Sequence, residues 1–440
     1  MKTLVFVPVN PTSFTEMFSL ARAFSSSYKI TFIVDNEFVL SKSSEISAEG
    51  FSTFNTQIKS SSLISQALLK ISTAFIHLTS RNKSRILKRI FKRNLSRRNN
   101  KINEFLKSAG DLKCIFVYGD RHAGTIELPL LYAADKLKIA TVIPPLAFFS
   151  REENLLAQRR LNHDCDYPHA WEENKKYYGM SRLDPVTIKR VLYYEPWLTE
   201  VLDEMDLLPQ NPWTMGGGLA KQVWCDSDNA KNFLTEDGCS ESKVKVTGHL
   251  SHDDLFQALK TDSKLNGISG RLNIIVALPQ LGEHELLSWD QHWIEIDFLL
   301  TVLSELKQNL FVSLHPKMKD KKYFELAERH GAMILKERLK EVLPFADIYT
   351  STFSSTVPWA IALGIPTVIF DFYNLNYSFY KNDGLNVCLD KDVYKSLLSK
   401  MMNPDYLVSV KSQMNTIKEK YPKIDGKAFN RMKSCLVNLS

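Results

Sequence analysis

The sequence predicts a two-domain α/β protein in which each domain is a Rossmann-like, doubly wound parallel sheet. Three observations predict it. The chain opens with a strand, a helix and a strand, the βαβ unit that builds parallel sheets. A second series of βα units starts near Leu272. Between the two series lies a polar stretch, 250–270, that reads as a linker. With 440 residues the chain is long enough for two large cores. Two such halves predict a cleft between domains as the place for a ligand.

The elements follow in order. In the first half, strands are expected at 4–9, 30–34, 114–118, 140–143, 222–225 and 244–246, with helices at 14–24, 125–137 and 228–235. The stretch 150–215 is polar and aromatic, with weak periodicity. In the second half, strands are expected at 273–278, 310–314, 333–335, 348–350 and 367–370, and a helical pattern closes the chain from 404 to 436. The expected domains are 1–250 and 271–440, with the last helix crossing back to the first.

Composition narrows the class. Hydrophobic residues make up 44% and charged residues 24%, which is ordinary for a globular protein. No apolar run is long enough to span a bilayer, and the opening MKTLVFVPVNP reads as a buried strand rather than a signal peptide. The cysteines (Cys114, Cys165, Cys225, Cys239, Cys388, Cys435) have no CxxC spacing. Free thiols, a cytoplasmic location and no zinc site are expected.

The strongest chemical signal is Thr350-Ser351-Thr352-Phe353-Ser354-Ser355-Thr356, a hydroxyl-rich turn between a strand and a helix that has Pro358 in its first turn. Main-chain N–H groups at a helix start, with hydroxyl donors beside them, suit a phosphate; the plainer reading is a serine N-cap. A second signal is His315-Pro316-Lys317, just past a buried strand, where ligands bind in such sheets. His315 there donates to a phosphate or ribose oxygen, or caps local backbone.

A His-Pro pair followed some forty residues later by a Ser-Ser pair at a helix start resembles bacterial sialyltransferases, capsular Kdo transferases and CDP-glycerol-type polymerases. In those families the pairs hold the phosphate and nucleotide of a cytidine-activated donor. The resemblance implies that role for His315-Pro316 and Ser354-Ser355, with Lys317 and Thr356 adding to the charge and donor set. It also implies a GT-B glycosyltransferase building a bacterial surface glycan, such as capsule or O-antigen. The implied donor is a CMP-activated acidic sugar of the sialic, pseudaminic, legionaminic or Kdo type. Beyond that nucleotide sugar, no cofactor and no metal are expected.

Val117-Tyr118-Gly119-Asp120-Arg121 is similar to the Gly-Asp-Arg turn of the UDP-N-acetylglucosamine 2-epimerase family, and Trp224–Ala230 and Lys245–His249 fit that family's first domain. The family has an acid after the next strand, where this chain reads Pro144-Pro145, and paired glutamates where it reads Thr356, Val357 and Pro358. Those substitutions count against epimerase chemistry.

A transferase needs a base for the acceptor hydroxyl. Asp120 is the first choice, at the end of an inner strand, with His122 and Glu127 in reserve; Arg121 could instead pair with Asp120 in a structural turn. No DxD motif follows a strand as a metal-binding sugar site requires. The loop Asn211–Gly218, with three glycines, reads as a ligand-side loop or a connector. Gly282, after the strand 273–278, stands where such folds often contact donor.

The net charge is +7, yet 81–101 alone hold ten Lys or Arg and no acid, leaving 46 basic against 49 acidic residues elsewhere. In that segment Ile86, Leu87, Ile90, Phe91 and Leu95 recur at helical spacing. A basic amphipathic helix suits an anionic membrane surface, here the inner face of the cell membrane; the alternative is a helix packed on its domain through that stripe. No recognisable nucleic-acid module accompanies it. Two other functions stay open: a UDP-sugar 2-epimerase or UDP-sugar transferase, and a non-catalytic nucleotide-sugar-binding protein at the membrane.

Overall fold

Leu4-Val5-Phe6-Val7 carries apolar side chains on both sides of its backbone, as a strand covered on both faces does. In the computed structural model it forms β1 (Thr3–Val7), every residue of which is buried. The structure describes residues 1–57, 80–146, 175–183, 190–284, 286–315, 318–352, 354–373 and 385–439. β2 (Lys29–Val34) and β3 (Ser52–Asn55) lie to one side of β1. β4 (Leu112–Val117) and β5 (Thr141–Ile143) lie to the other. After the short antiparallel pair β6 (Arg182–Leu183) and β7 (Arg190–Val191), β8 (Gln222–Cys225) and β9 (Val244–Val246) complete a seven-stranded parallel sheet of order β3-β2-β1-β4-β5-β8-β9. The chain leaves β1 toward β2 and leaves β4 toward β5, so the topological switch lies between β1 and β4.

Register places Phe6 opposite both Phe32 and Phe116. Their rings stack in a row across three strands, with centroids 5.4 and 4.9 Å apart. Such pairs add about 0.5–1.5 kcal/mol each beyond area burial. The opposite face, through Val5, Val7, Ile115 and Val117, packs on Ile102 and Phe105 of the long helix Ser80–Ser108.

That helix contains the basic segment, and it corrects the expected single apolar stripe. Leu95, Ile102 and Phe105 are buried, and Phe91 meets Trp197 edge to face. Lys88 and Lys92 pair with Glu200 and Glu204 of the helix Pro196–Glu204. Arg98 donates to Gly124 O at 2.7 Å, and Lys101 to Gln57 O at 3.1 Å. Phe91 and Leu95 therefore serve the protein's own packing rather than a membrane. Ile86 and Ile90 stay outside.

The second sheet is parallel as well. Its strands are β10 (Asn273–Ala277), β11 (Asn309–Ser313), β12 (Met333–Ile334), β13 (Ile348–Ser351), β14 (Thr367–Phe370) and β15 (Asn386–Cys388), in the order β12-β11-β10-β13-β14-β15. The switch point falls between β10 and β13. The closing helical pattern is two helices, Pro404–Ile417 and Ala428–Val437, not one.

Two compact units result. One holds Met1–Asp226, Ala230–Thr247 and Met432–Ser440; the other holds Ser227–Asn229 and Gly248–Arg431. The passage at Gly248 needs φ +80, and a Cβ there would lie 2.9 Å from Arg431 Nη2. Within the first unit, Lys113 Nζ donates to Leu439 O at 2.6 Å and to Val437 O at 3.3 Å, which ties the chain end to β4.

Candidate functional sites at the sheet edges

β4 runs into Tyr118-Gly119-Asp120-Arg121-His122, and the helix Glu127–Lys136 follows. The His122 ring folds back over this turn and stacks on Tyr118, centroids 5.1 Å apart. Only glycine permits that, because a Cβ at Gly119 would meet His122 Cε1 at 2.7 Å. Glu127, fully buried, accepts the Gly119 N–H on Oε1 at 2.8 Å. Its Oε2 lies 2.9 Å from His122 Nδ1 and accepts the Thr125 hydroxyl at 3.2 Å. A carboxylate only accepts, so a neutral His122 ring facing it has its proton on Nδ1 and its acceptor at Nε2. The His122 side chain is 32% exposed.

Asp35 steadies the same corner. It follows β2, accepts the Ile126 N–H at 3.2 Å and the Thr56 hydroxyl at 3.3 Å, and faces Arg98 at 3.8 Å. Burial raises its carboxyl above the usual value against the pull of Arg98. Sequence reading missed Asp35, although an acid directly after the buried strand Ile33-Val34 was a usable signal.

Asp120 is held inside the fold. It is 1% exposed, and both of its oxygens accept main-chain N–H groups, from Gly216 at 3.1 Å and Gly218 at 2.8 Å. Lys243 Nζ holds the carbonyls of the same two glycines at 3.2 and 2.7 Å. Burial raises the Asp120 carboxyl, while the two N–H groups, Lys243 and Arg121 oppose the shift. The glycines are needed for this clamp: Gly216 has φ +83, and a Cβ at Gly218 would lie 2.6 Å from Asp120 O. The loop Asn211–Gly218 is therefore fastened to Asp120. Arg121 donates to Trp213 O at 2.8 Å and its own carbonyl accepts the Tyr194 hydroxyl at 2.6 Å, which closes the turn from behind.

In the second unit, β11, β10 and β13 are adjacent, so the segments that follow them share the carboxyl edge of the sheet. His315, after β11, is exposed, and its carbonyl accepts the Met318 N–H at 2.8 Å. Pro316 and Lys317 lie outside the described residues. Gly282 follows β10 and packs against Trp289. It is buried, and a Cβ there would lie 2.9 Å from the Trp289 indole, so the glycine makes room for that ring. Beside it, Glu283 meets Tyr323 and His292, two buried residues that sequence reading missed. Tyr323 OH donates to Glu283 Oε1 at 2.7 Å and lies 2.6 Å from His292 Nε2.

After β13, Ser354 and Thr356 hydroxyls are 2.6 Å apart, and the Tyr349 hydroxyl is 2.5 Å from that of Thr356. Burial raises Tyr349 above its usual value, so it keeps its proton. Tyr349 also reaches the hydroxyls of Ser351 and Ser354, so the turn is one connected hydroxyl network. Ser355 beside them is exposed. The helix that follows, Val357–Ala362, has only six residues and ends at Gly364 with φ +71. The donor strength of this turn therefore rests on hydroxyls more than on a helix dipole. Thr352 adds a buried hydroxyl with no partner among the described residues.

No protein-family model matches the chain, and no curated protein matches it in sequence. Solved structures match over nearly the whole length. A protein assigned as a UDP-N-acetylglucosamine 2-epimerase from Listeria monocytogenes is 12% identical, with a TM-score of 0.53, covering 99% of this chain and 96% of its own. A UDP-glucosyltransferase from Polygonum tinctorium capable of glucosylating indoxyl is 13% identical, with a TM-score of 0.52, covering 100% and 98%. MurG from Acinetobacter baumannii is 11% identical, with a TM-score of 0.50, covering 99% of each chain. At such identities the likeness concerns the fold, and the chain has the GT-B architecture of two Rossmann-like domains.

Proposed function

We propose that this chain is a glycosyltransferase that moves a sugar from a nucleotide-activated donor to an acceptor hydroxyl, with His122 as the base and Glu127 as its positioning residue. The observation that carries the proposal is the His122–Glu127 pair at the switch point of the first sheet, at 2.9 Å. As the acceptor oxygen bonds to the anomeric carbon, its proton passes to His122 Nε2. The bond from the anomeric carbon to the phosphate oxygen breaks, and the nucleotide leaves with the electron pair. Glu127 holds the ring in the tautomer that accepts and stabilises the imidazolium that forms.

The donor end is assigned to the carboxyl edge of the second sheet. Hydroxyls of Ser354, Ser355 and Thr356 donate to the leaving phosphate, and His315 adds a ring N–H. A cytidine-activated acidic sugar is the donor we favour, on the His315 and Ser354-Ser355 pattern, and a growing surface glycan is the acceptor. UDP is the principal competitor, since the similar structures include enzymes named for UDP-sugars. Epimerisation is disfavoured by Pro144-Pro145 after β5 and by Val357 and Pro358 at the second sheet.

The test is a thermal-shift titration with CMP, CDP, UDP and GDP, followed by transfer assays with the stabilising nucleotide's sugars. A nucleotide at a hundred times its Kd should add about 2.7 kcal/mol of stability. Stabilisation by CMP or CDP supports the cytidine donor. Stabilisation by UDP alone moves the donor to a UDP-sugar, and no response to any nucleotide defeats the transferase reading.

A further inference from the structure

We propose that the outward face of the helix Ser80–Ser108 docks on a negatively charged phospholipid bilayer. At 100° per residue, Ile86, Arg89, Ile90, Arg93, Arg97 and Asn100 fall on one face of the helix. Phe91, Leu95 and Ile102 fall on the opposite face, which packs on the first unit. The lysines flanking the packed face, Lys88 and Lys92, are paired with Glu200 and Glu204. On the outward face, Arg89 and Arg93 are exposed and Arg97 is half-buried. Among the described residues, none of these three arginines has an acidic partner. From Ser80 to Ser108 the only acid is Glu104.

Two observations choose lipid over nucleic acid, the other polyanion. Ile86 is 48% exposed and Ile90 37% exposed, one turn apart and between the arginines. Branched apolar side chains gain from entering the acyl boundary and gain nothing from a phosphodiester chain. The outward residues Ile86, Arg89, Ile90, Arg93, Arg97 and Asn100 include no aromatic ring on which a base could stack. The attachment is peripheral: among the described residues no helix is long and apolar enough to cross a membrane. The face is independent of the catalytic proposal, because none of its residues belongs to either sheet edge.

The experiment is sedimentation of the full chain with phosphatidylcholine vesicles, with and without phosphatidylserine, at low and raised salt. Binding is expected only with phosphatidylserine and should fall with salt. Each arginine near such a surface is worth about fivefold in partitioning, so Arg89→Gln with Arg93→Gln and Arg97→Gln should lose roughly a hundredfold. Ile86→Ser with Ile90→Ser should also lose binding at unchanged charge. Lys88→Gln with Lys92→Gln, on the packed side, should lose much less. Circular dichroism checks that each variant is folded. The proposal is overturned if the wild type ignores anionic vesicles, if the triple arginine variant binds as well as wild type, or if the lysine variant loses as much as the arginine variant. It is equally overturned if a polyuridine RNA outcompetes the vesicles and the isoleucine variant binds like wild type.

Discussion

Glu127→Gln isolates the base from every other part of the site. The Glu127 carboxylate accepts from Gly119 N, His122 Nδ1 and Thr125 Oγ1 while fully buried. In the glutamine variant the amide oxygen can keep the Gly119 N–H, but the NH2 group then faces His122 Nδ1. That group only donates, so Nδ1 must give up its hydrogen and the ring proton moves to Nε2. A ring protonated on its outward nitrogen cannot take the acceptor's proton. A positioned base is worth about 10²–10⁴ in rate, or roughly 3–5 kcal/mol at about 1.36 kcal/mol per decade. Loss of hydrogen bonds to a buried charge costs about 1.5–3 kcal/mol of stability as well. The variant must therefore be melted first and assayed well below its midpoint. The assay is single-turnover transfer at saturating donor, with His122→Gln in parallel. Both variants should lose a similar factor in rate while their nucleotide Kd stays unchanged. A folded Glu127→Gln enzyme that transfers within about tenfold of wild type, less than the smallest effect of a working base, refutes the assignment.

Asp120→Asn should behave in the opposite way: a loss of about 1.5–3 kcal/mol in urea melts, because the Gly216 and Gly218 N–H groups lose a charged acceptor, with the transfer rate kept below the midpoint. If that variant is stable but inactive, Asp120 returns as the base. Ser354→Ala with Ser355→Ala should lower donor kcat/KM about tenfold or more, the size of one hydrogen bond to a charged group; a steady-state assay showing no change removes the turn from donor binding. Stability should also depend on pH through His252, which burial, helped by His249 and Arg431, holds well below its usual value of 6.5. The unfolded chain protonates this histidine below about pH 6.5 and the folded chain does not, so stability is full above that pH and falls by up to about 1.4 kcal/mol per unit below it. His252→Asn, whose Oδ1 can still take the His249 N–H held at 3.1 Å, should flatten that fall in thermal melts; an unchanged pH dependence assigns it to other groups.

The most legible strands were those buried on both faces. The runs at 222–225 and 367–370 become β8 and β14 without adjustment, since a largely apolar run bounded by turn residues has few other uses; 244–246 also becomes β9, although Val244-Lys245-Val246 is a half-buried edge strand. β3 was not legible: Ser52-Thr53-Phe54-Asn55 is a half-exposed edge strand, and its pairing with Thr31–Val34 exists only in three dimensions. β15 is a three-residue edge strand of the same kind. The break at 418–427 inside the closing helical pattern was hidden because apolar spacing continued on both sides of it. In the basic helix, the spacing correctly marked a helix but grouped Ile86 and Ile90 with Phe91 and Leu95. Which side of a broad apolar stripe faces the protein depends on partners such as Trp197, a hundred residues away.

The sites divide along the same line. Position after a strand ranks Asp120, His122 and Glu127 alike, because all three follow β4 within ten residues. What separates them is where their hydrogen bonds go. Asp120 uses both oxygens on main-chain N–H groups of a loop ninety-odd residues onward and is 1% exposed, so almost none of its carboxylate reaches solvent. Glu127 uses one oxygen on Gly119 and the other on His122, and so passes its charge to a ring that reaches solvent. The three glycines of Asn211–Gly218 carry a related lesson. In sequence they look like room for a ligand; in the fold a Cβ would strike Val223 and Cys239 at Gly216, Asn211 at Gly217 and Asp120 at Gly218. An acid that secures a glycine loop and an acid that orients a histidine look the same in one dimension. Asp120→Asn and Glu127→Gln, compared in one melt and one transfer assay, separate the two roles: the first should move the midpoint and spare the rate, and the second should lower the rate at every temperature where the protein is folded.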